Sequence, residues 1–421
     1  MCSSDLKTAK RRLVVDLRAL NERIVKVNYP YPLVEESLEA IGSEKPKVLS
    51  SMDIRDAFFS LGLDEESQKW AGISAYHNAQ PYYFVKLCQG LSVSPSYFSA
   101  YLNSVLSEIP NYQKFLISYM DDLLIISKNH EEHMEHIQLV LETLVKHKLK
   151  ISPKKSFFFR SKVEYLGHNI EIINGKPHVT VQQSKVEAIK RLKVPHTLKL
   201  IRGFCGAVNY VAKFIPNLCE LLKPIRRLTR KNTRYAWTPD CQRSFERIKE
   251  LLCKAPVLAL PTREGLIKLY IDTSRTGTGC TIYQTDPDDP EKEHLLGYWS
   301  HALAETAQRY SVSELELTGI CSCILSLRFL RSRYFHVYTD HSALVHMIKS
   351  KKELPTTRIK KLFEKLTDYH FDMFYKKGAE MVVCDYLSRA EYVDGPQRPP
   401  EEMTPEDRTV FVTTRSQAKQ K

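Results

Sequence analysis

Two carboxylates stand side by side at Asp121 and Asp122, inside the tetrapeptide Tyr119-Met120-Asp121-Asp122. Phe115, Leu116 and Ile117 precede it, and Leu123, Leu124, Ile125 and Ile126 follow. Both runs predict short, largely buried strands. The acids therefore occupy a hairpin turn or a strand end. Adjacent anions next to buried strands need a neutraliser. A divalent metal is one, because hard oxygen ligands suit it. An ordinary Asp-Asp surface turn is the other reading of the same residues.

Further acids fall at element boundaries. Val48 to Asp53 predicts a strand ending in a carboxylate. Asp56 and Ala57 then open a predicted helix whose free backbone N–H groups could hold phosphate. Leu269-Tyr270-Ile271-Asp272 is another strand ending in a carboxylate, followed by Gly277 and Gly279. Phe335 to Asp340 repeats that pattern, and the helix expected over 313–330 carries Glu316. Ser313 three residues earlier makes a helix-capping box the other reading of Glu316, with Glu314 the neighbouring candidate. His130, His133 and His136 recur on the polar side of a helix expected over Glu131 to Leu149. With no fourth ligand or cysteine nearby, they read as a solvated face rather than a metal site.

The 421 residues suffice for two or three domains. A hydrophobic share of 43% allows sizeable cores, and a net charge of +13 points to polyanionic partners, nucleic acid first. No apolar run approaches membrane-spanning length, and no signal-peptide pattern is present. The ten cysteines form no CxxC pair and no zinc spacing, so they read as reduced core residues of an intracellular protein. Leu13 to Leu17 predicts a strand, Pro30 and Pro32 interrupt the next stretch, and Val34 to Ile41 predicts a short helix. An amphipathic helix follows Ser94-Pro95. Residues 185 to 254 read as helical and basic. Lys213, Lys223, Arg226, Arg227, Arg230, Lys231 and Arg234 interleave there with Tyr210, Phe214, Tyr235 and Trp237, a mixture suited to phosphate tracking and base stacking. From Leu266 strands and helices alternate as in a compact α/β domain. Residues 391 to 421 read as a flexible linker.

Taken together, Asp53 and Tyr119-Met120-Asp121-Asp122 resemble the catalytic motifs of a reverse transcriptase. The whole resembles the gypsy class of LTR-retrotransposon Pol polyproteins, from about Arg12 to Arg389. Supporting segments are Val15 to Asn21, Tyr165-Leu166-Gly167-His168, Asn209-Tyr210, Ala255 to Leu258, Thr339 to Leu344 and Asp385-Tyr386-Leu387-Ser388-Arg389. The resemblance implies an α+β right-hand polymerase with fingers and palm over 1–180 and a thumb and connection over 181–262. An α/β ribonuclease H-like domain would span 263–390, with the linker beyond. It implies two Mg²⁺ ions per active site, with Mn²⁺ as the substitute. One pair would be held by Asp53, Asp121 and Asp122, the other by Asp272, Glu316, Asp340 and Asp385. Phe58 matches an aromatic gate against a ribose 2′-hydroxyl, Gln89 a residue of the nucleotide pocket, and Arg12 an arginine on the triphosphate. Asp56, Ala57, Tyr119 and Met120 complete the substrate-binding set, and Tyr165 to His168 match the strand region that positions the primer. The implied partners are an RNA template, a DNA primer, dNTPs and the RNA–DNA hybrid, with no membrane.

Such a product would act inside the cell, in cytoplasmic virus-like particles or in the nucleus. Two departures from the family accompany the match. Tyr375 stands where many ribonuclease H domains have a histidine, and little chain precedes Arg12, with Lys7 and Lys10 as remnants of the family's basic hairpin. Asp272-Thr273-Ser274 lacks the glycine of an aspartic-protease triplet, and no integrase motif follows. The competing expectation is a truncated or co-opted element product that binds nucleic acid without synthesising DNA, with or without ribonuclease H activity.

Overall fold

The computed structural model describes residues 2–4, 11–13, 15–27, 29–74, 80–230, 233, 235–350 and 356–377. The chain divides into two compact units: Met1–Arg191 with Cys253–Gly265 and Asp286–Leu296, and Leu192–Leu252 with Leu266–Thr285 and Gly297–Lys421.

In the first unit, β-prone runs form a four-stranded antiparallel sheet. Its members are β1 (Val48–Asp53), β2 (Leu116–Tyr119), β3 (Asp122–Ser127) and β4 (Phe157–Arg160), in the order β2-β3-β1-β4. The helices α1 (Ser94–Leu106) and α2 (His130–Lys146) supply the apolar partners. Pro95 suits the first turn of α1, where a missing N–H costs nothing. Asn129 caps α2 by accepting from the Glu132 amide at 2.8 Å. Phe98, Leu102 and Leu106 of α1 and Ile137 and Leu144 of α2 meet Met52, Leu123 and Ile125 in one core. Side chains alternate along a strand, so Asp53 and Asp122 leave the sheet on the face away from these helices. A second sheet pairs β5 (Lys162–Tyr165), β6 (His168–Ile173), β7 (Lys176–Thr180) and β8 (Leu258–Ala259).

The second unit includes the amphipathic helices α3 (Leu198–Tyr210), α4 (Leu218–Arg227) and α5 (Pro239–Cys253). It also holds most of a five-stranded mixed sheet. Its strands are β9 (Ile267–Thr273), β10 (Gly277–Asp286), β11 (Asp289–Ala302), β12 (Tyr334–Thr339) and β13 (His370–Tyr375), ordered β11-β10-β9-β12-β13. β9 runs antiparallel to β10 and parallel to β12, and β12 runs parallel to β13. The helix α6 (Val312–Ser326) packs on β9.

Several expectations change. The strand foreseen over Leu13 to Leu17 is Arg11–Leu13, and Leu17 is instead a buried residue ahead of a short helix at Arg18–Asn21. Asp56 and Ala57 open only one 3-10 turn, Ala57–Ser60, because Asp56 lies in the left-handed region at φ 52°. The histidine face is only partly solvated: His130 is exposed, His136 is half-buried and His133 departs from the expectation. His133 is wholly buried, with Nε2 2.6 Å from Ser50 Oγ and Nδ1 2.7 Å from Ser127 Oγ. Polar strand residues on β1 and β3 turn that face of α2 inward, which helical periodicity alone does not reveal. Of the aromatics among the basic residues, Phe214 is core and Trp237 packs edge-on against Phe245, leaving Tyr210 and Tyr235 exposed. Lys231, Arg234, Asp385 and the 391–421 linker lie outside the described residues.

Candidate active sites

The β2–β3 hairpin places Tyr119 opposite Asp122, leaving Met120 and Asp121 as its two-residue loop. Met120 takes φ 54°, a left-handed conformation that costs a non-glycine residue roughly 1–2 kcal/mol. On the other side of β3, Asp53 is the direct antiparallel partner of Asp122. Side chains so paired have Cβ atoms about 4.5–5.5 Å apart, and like charges there repel. The Ile54 amide donates to the Asp121 carbonyl at 2.9 Å, which ties the loop to the end of β1. One separate strand and one turn thus converge three acids.

Burial, then Asp121, then Asp53 push the Asp122 carboxyl up to about 6, and Lys155 opposes the rise. Lys155 Nζ donates to Asp53 Oδ2 at 2.7 Å. That hydrogen bond, with the three carboxylates around it, raises the lysine's own pKa. Lys155 lies 102 positions from Asp53, and sequence reasoning missed it. Its only local signal is the Lys154-Lys155 pair ahead of β4.

The remaining residues expected in this region are placed as follows. Phe58 is half-buried and meets Phe98 edge to face, with ring centroids 5.9 Å apart. Gln89 is exposed beside Gly90, whose φ is 104°. Asn21 brackets this loop: its amide donates to the Gly90 carbonyl at 2.9 Å, and its Oδ1 accepts from the Ser92 amide at 2.7 Å. The Val15 to Asn21 motif thereby acquires a physical task. Asp56 is exposed and ion-paired to Arg55 at 3.2 Å. Arg12 lies in the Arg11–Leu13 strand paired with Cys2–Ser4, and its side chain is outside the described residues. Tyr165 is buried, its hydroxyl 3.4 Å from the Ile117 carbonyl, and desolvation raises its pKa.

In the second unit the ligand atoms of Asp272, Glu316 and Asp340 all lie within 4.8 Å of one another. Parallel register between β9 and β12 aligns Tyr270 with Tyr338 and carries Asp272 and Asp340 to the same edge. Glu316 arrives from α6, and Gly319 permits the approach. A Cβ at that position would collide with Thr273 Oγ1 and lie 2.5 Å from Thr278 Oγ1. Asp272 and Glu316 are only 2% and 5% exposed. Three hard-oxygen donors in so small a space fit a divalent cation, and burying such carboxylates together is costly otherwise.

The structure also separates the two neighbouring glutamates. The capping box is Ser311 with Glu314, not Ser313 with Glu316. Glu314 accepts from Ser311 and also meets Thr356 and Arg358 at 3.2 and 3.3 Å. Its depressed pKa reflects those hydrogen bonds and the Arg358 charge outweighing burial. Tyr375 is half-exposed at the end of β13, opposite Thr339.

Residues 4–170 match the family described as reverse transcriptase (RNA-dependent DNA polymerase). Residues 237–337 match the RNase H-like domain found in reverse transcriptase. The Transposon Tf2-7 polyprotein of Schizosaccharomyces pombe is 29% identical over 386 residues, 91% of this chain and 28% of the relative. The Tf2-3 polyprotein of the same yeast is 30% identical over the same lengths. The chain thus spans little more than a quarter of these relatives. Among solved structures, a foamy viral protease-reverse transcriptase in complex with RNA/DNA hybrid superposes with TM-score 0.74. It is 21% identical and covers 94% of this chain and 51% of that one. The same viral protein in complex with dsDNA gives 0.74 at 22% identity, over 89% and 76%. The fold is therefore that of a polymerase joined to an RNase H-like domain.

Proposed function

We propose that this chain, which matches the reverse transcriptase and RNase H-like families and is similar to retrotransposon polyproteins, is an RNA-directed DNA polymerase that also degrades the RNA of the resulting hybrid. The observation that carries this reading is the pairing of Asp53 with Asp122 beside the Met120-Asp121 loop, inside the segment that matches the polymerase family. The second acid cluster, on β9, α6 and the end of β12, supports the nuclease half.

Asp53, Asp121 and Asp122 would hold Mg²⁺ in the polymerase. Asp272, Glu316 and Asp340 would hold it in the nuclease, with Asp385 of the matching motif as fourth ligand. Bound there in pairs, Mg²⁺ supplies charge neutralisation and activation of the attacking oxygen, a 3′-hydroxyl in one site and water in the other. The side chains do the positioning. The rigid β1–β3 register fixes the spacing of the two strand carboxylates. Lys155 occupies Asp53 and limits the mutual repulsion of the three acids. Phe58, propped edge-on by Phe98, limits the space available beside the ribose, while the Asn21-braced loop presents Gln89 to the incoming dNTP. Arg12 would meet its triphosphate. In the second unit, exposed Lys223, Arg227 and Arg230 suit the phosphates of a template–primer duplex.

Primer extension on an RNA template with Mg²⁺ tests the polymerase, and cleavage of a labelled RNA–DNA hybrid tests the nuclease. Both activities are expected from the same preparation. Cleavage without extension would replace this reading with a nuclease attached to a silent polymerase. Binding with neither activity would favour a co-opted nucleic-acid-binding product.

A further inference from the structure

Tyr29-Pro30-Tyr31-Pro32 has no task in the chemistry above. Two prolines fix φ at alternate positions, so this stretch is a stiff, extended strap. It reaches β2, which is the free edge of its sheet. Asn103 of α1 donates from Nδ2 to the Tyr29 hydroxyl at 2.5 Å. Its Oδ1 lies 3.4 Å from the hydroxyl of Ser118, which donates to it. Tyr31 meets the ring of Tyr119 with centroids 6.5 Å apart and planes tilted by 44°. The two tyrosines of the strap also pack edge to face at 5.9 Å. Ser118 and Tyr119 are consecutive on a strand, so their side chains leave it on opposite faces. The strap therefore meets one face of β2 directly, through Tyr31 on Tyr119, and the other through Asn103 on Ser118, immediately before the left-handed Met120.

A backbone held at positive φ without glycine persists only where its surroundings over-determine it. Pairing with β3 and the Ile54 amide hold the turn through its backbone, and the strap adds side-chain contacts at Ser118 and Tyr119. We propose that Tyr29, Tyr31 and Asn103 are positioning residues that hold the Tyr119–Asp122 turn in the conformation the polymerase acids require. This rests on the polymerase reading and adds a device to it.

Three variants probe the strap. Tyr29→Phe removes one hydroxyl, Ser118→Ala removes the other end of the relay, and Asn103→Leu cuts both. For Tyr29→Phe the expected result is a three- to tenfold fall in kcat for nucleotide addition, with KM for dNTP within twofold. Mn²⁺ affinity of the polymerase acids, read by electron paramagnetic resonance as the signal that Asp122→Asn abolishes, should fall about threefold. Tyr29→Phe combined with Ser118→Ala should be no worse than the weaker single variant, because both act through Asn103. Hybrid cleavage and melting temperature should not move. Unchanged kcat and unchanged Mn²⁺ affinity in Tyr29→Phe would overturn the proposal, as would a loss of hybrid cleavage in parallel with extension. Tyr29→Phe decides the matter if Asn103→Leu does not fold. A wild-type chain that binds Mn²⁺ but extends no primer would sink the polymerase reading alone, and the Mn²⁺ affinities would still judge the strap.

Discussion

Asp122 and Asp272 each sit at an end of a buried strand, yet they meet their partner acids by different routes. Around Asp122 the partners come from strand pairing and a two-residue turn, and a lysine already sits on one of the three acids. Around Asp272 they come from a parallel neighbour strand and a packed helix, and two of the three carboxylates are almost fully buried. The first cluster is organised by backbone register, the second by helix-to-sheet packing. A register cannot shift without inverting a whole strand, whereas a helix can be displaced by one added methyl group.

The largest effects should come from removing acids. Asp121→Asn or Asp122→Asn is expected to drop primer extension to the assay floor while hybrid cleavage persists. Asp272→Asn should do the reverse. Joint loss of both activities in either variant would mean that the clusters are not independent. Gly319→Ala sharpens the contrast next. The new Cβ meets Thr273 and Thr278, so α6 must retreat and carry Glu316 with it. Hybrid cleavage should fall steeply at a cost of about 1–3 kcal/mol in stability, with extension retained. Full cleavage by this variant would show that Glu316 tolerates displacement.

A smaller effect concerns pH. Folding raises the Asp122 carboxyl from 3.8 to about 6, so the folded chain binds the proton more tightly than the unfolded chain. Stability contributed by the protonated form is complete below pH ~4 and is lost as pH rises through ~6. Asp122→Asn should therefore melt above wild type at pH 7–8, by a few degrees on the usual scale of roughly 2–4 °C per kcal/mol. The gap should close below pH ~4, and calorimetry across that range checks it. A constant offset at every pH would assign the difference to something other than titration. The smallest expected change is in Lys155→Met, where the Asp122 carboxyl should titrate still higher because its opposing charge is gone. Carbonyl-carbon NMR of labelled aspartate reads this directly, and a downward movement would contradict the geometry.

Much of the strand and helix pattern was legible because apolar alternation and capping are local signals. The β3 run Leu123 to Ile126 and the edge at Asp53 are examples. Glu316 lies with Asp272 and Asp340, and the capping box that Ser313 offered it falls instead to Ser311 and Glu314. Ser311 and Ser313 both precede a glutamate by three, and only the position of the first helical turn separates them. The fate of His133 was not legible either, since a histidine among charged helical neighbours looks solvated until Ser50 and Ser127 close over it.

By itself, the sequence determined which residue types end each strand: two carboxylates at a tight turn, and single ones at Asp53, Asp272 and Asp340. Those assignments need only neighbours a few positions away. The tertiary structure decided which acids share a site, that Lys155 balances one of them, and that a glycine lets a helix deliver Glu316. Charge pairing and close packing act through space, between positions whose separation along the chain carries no periodic signal.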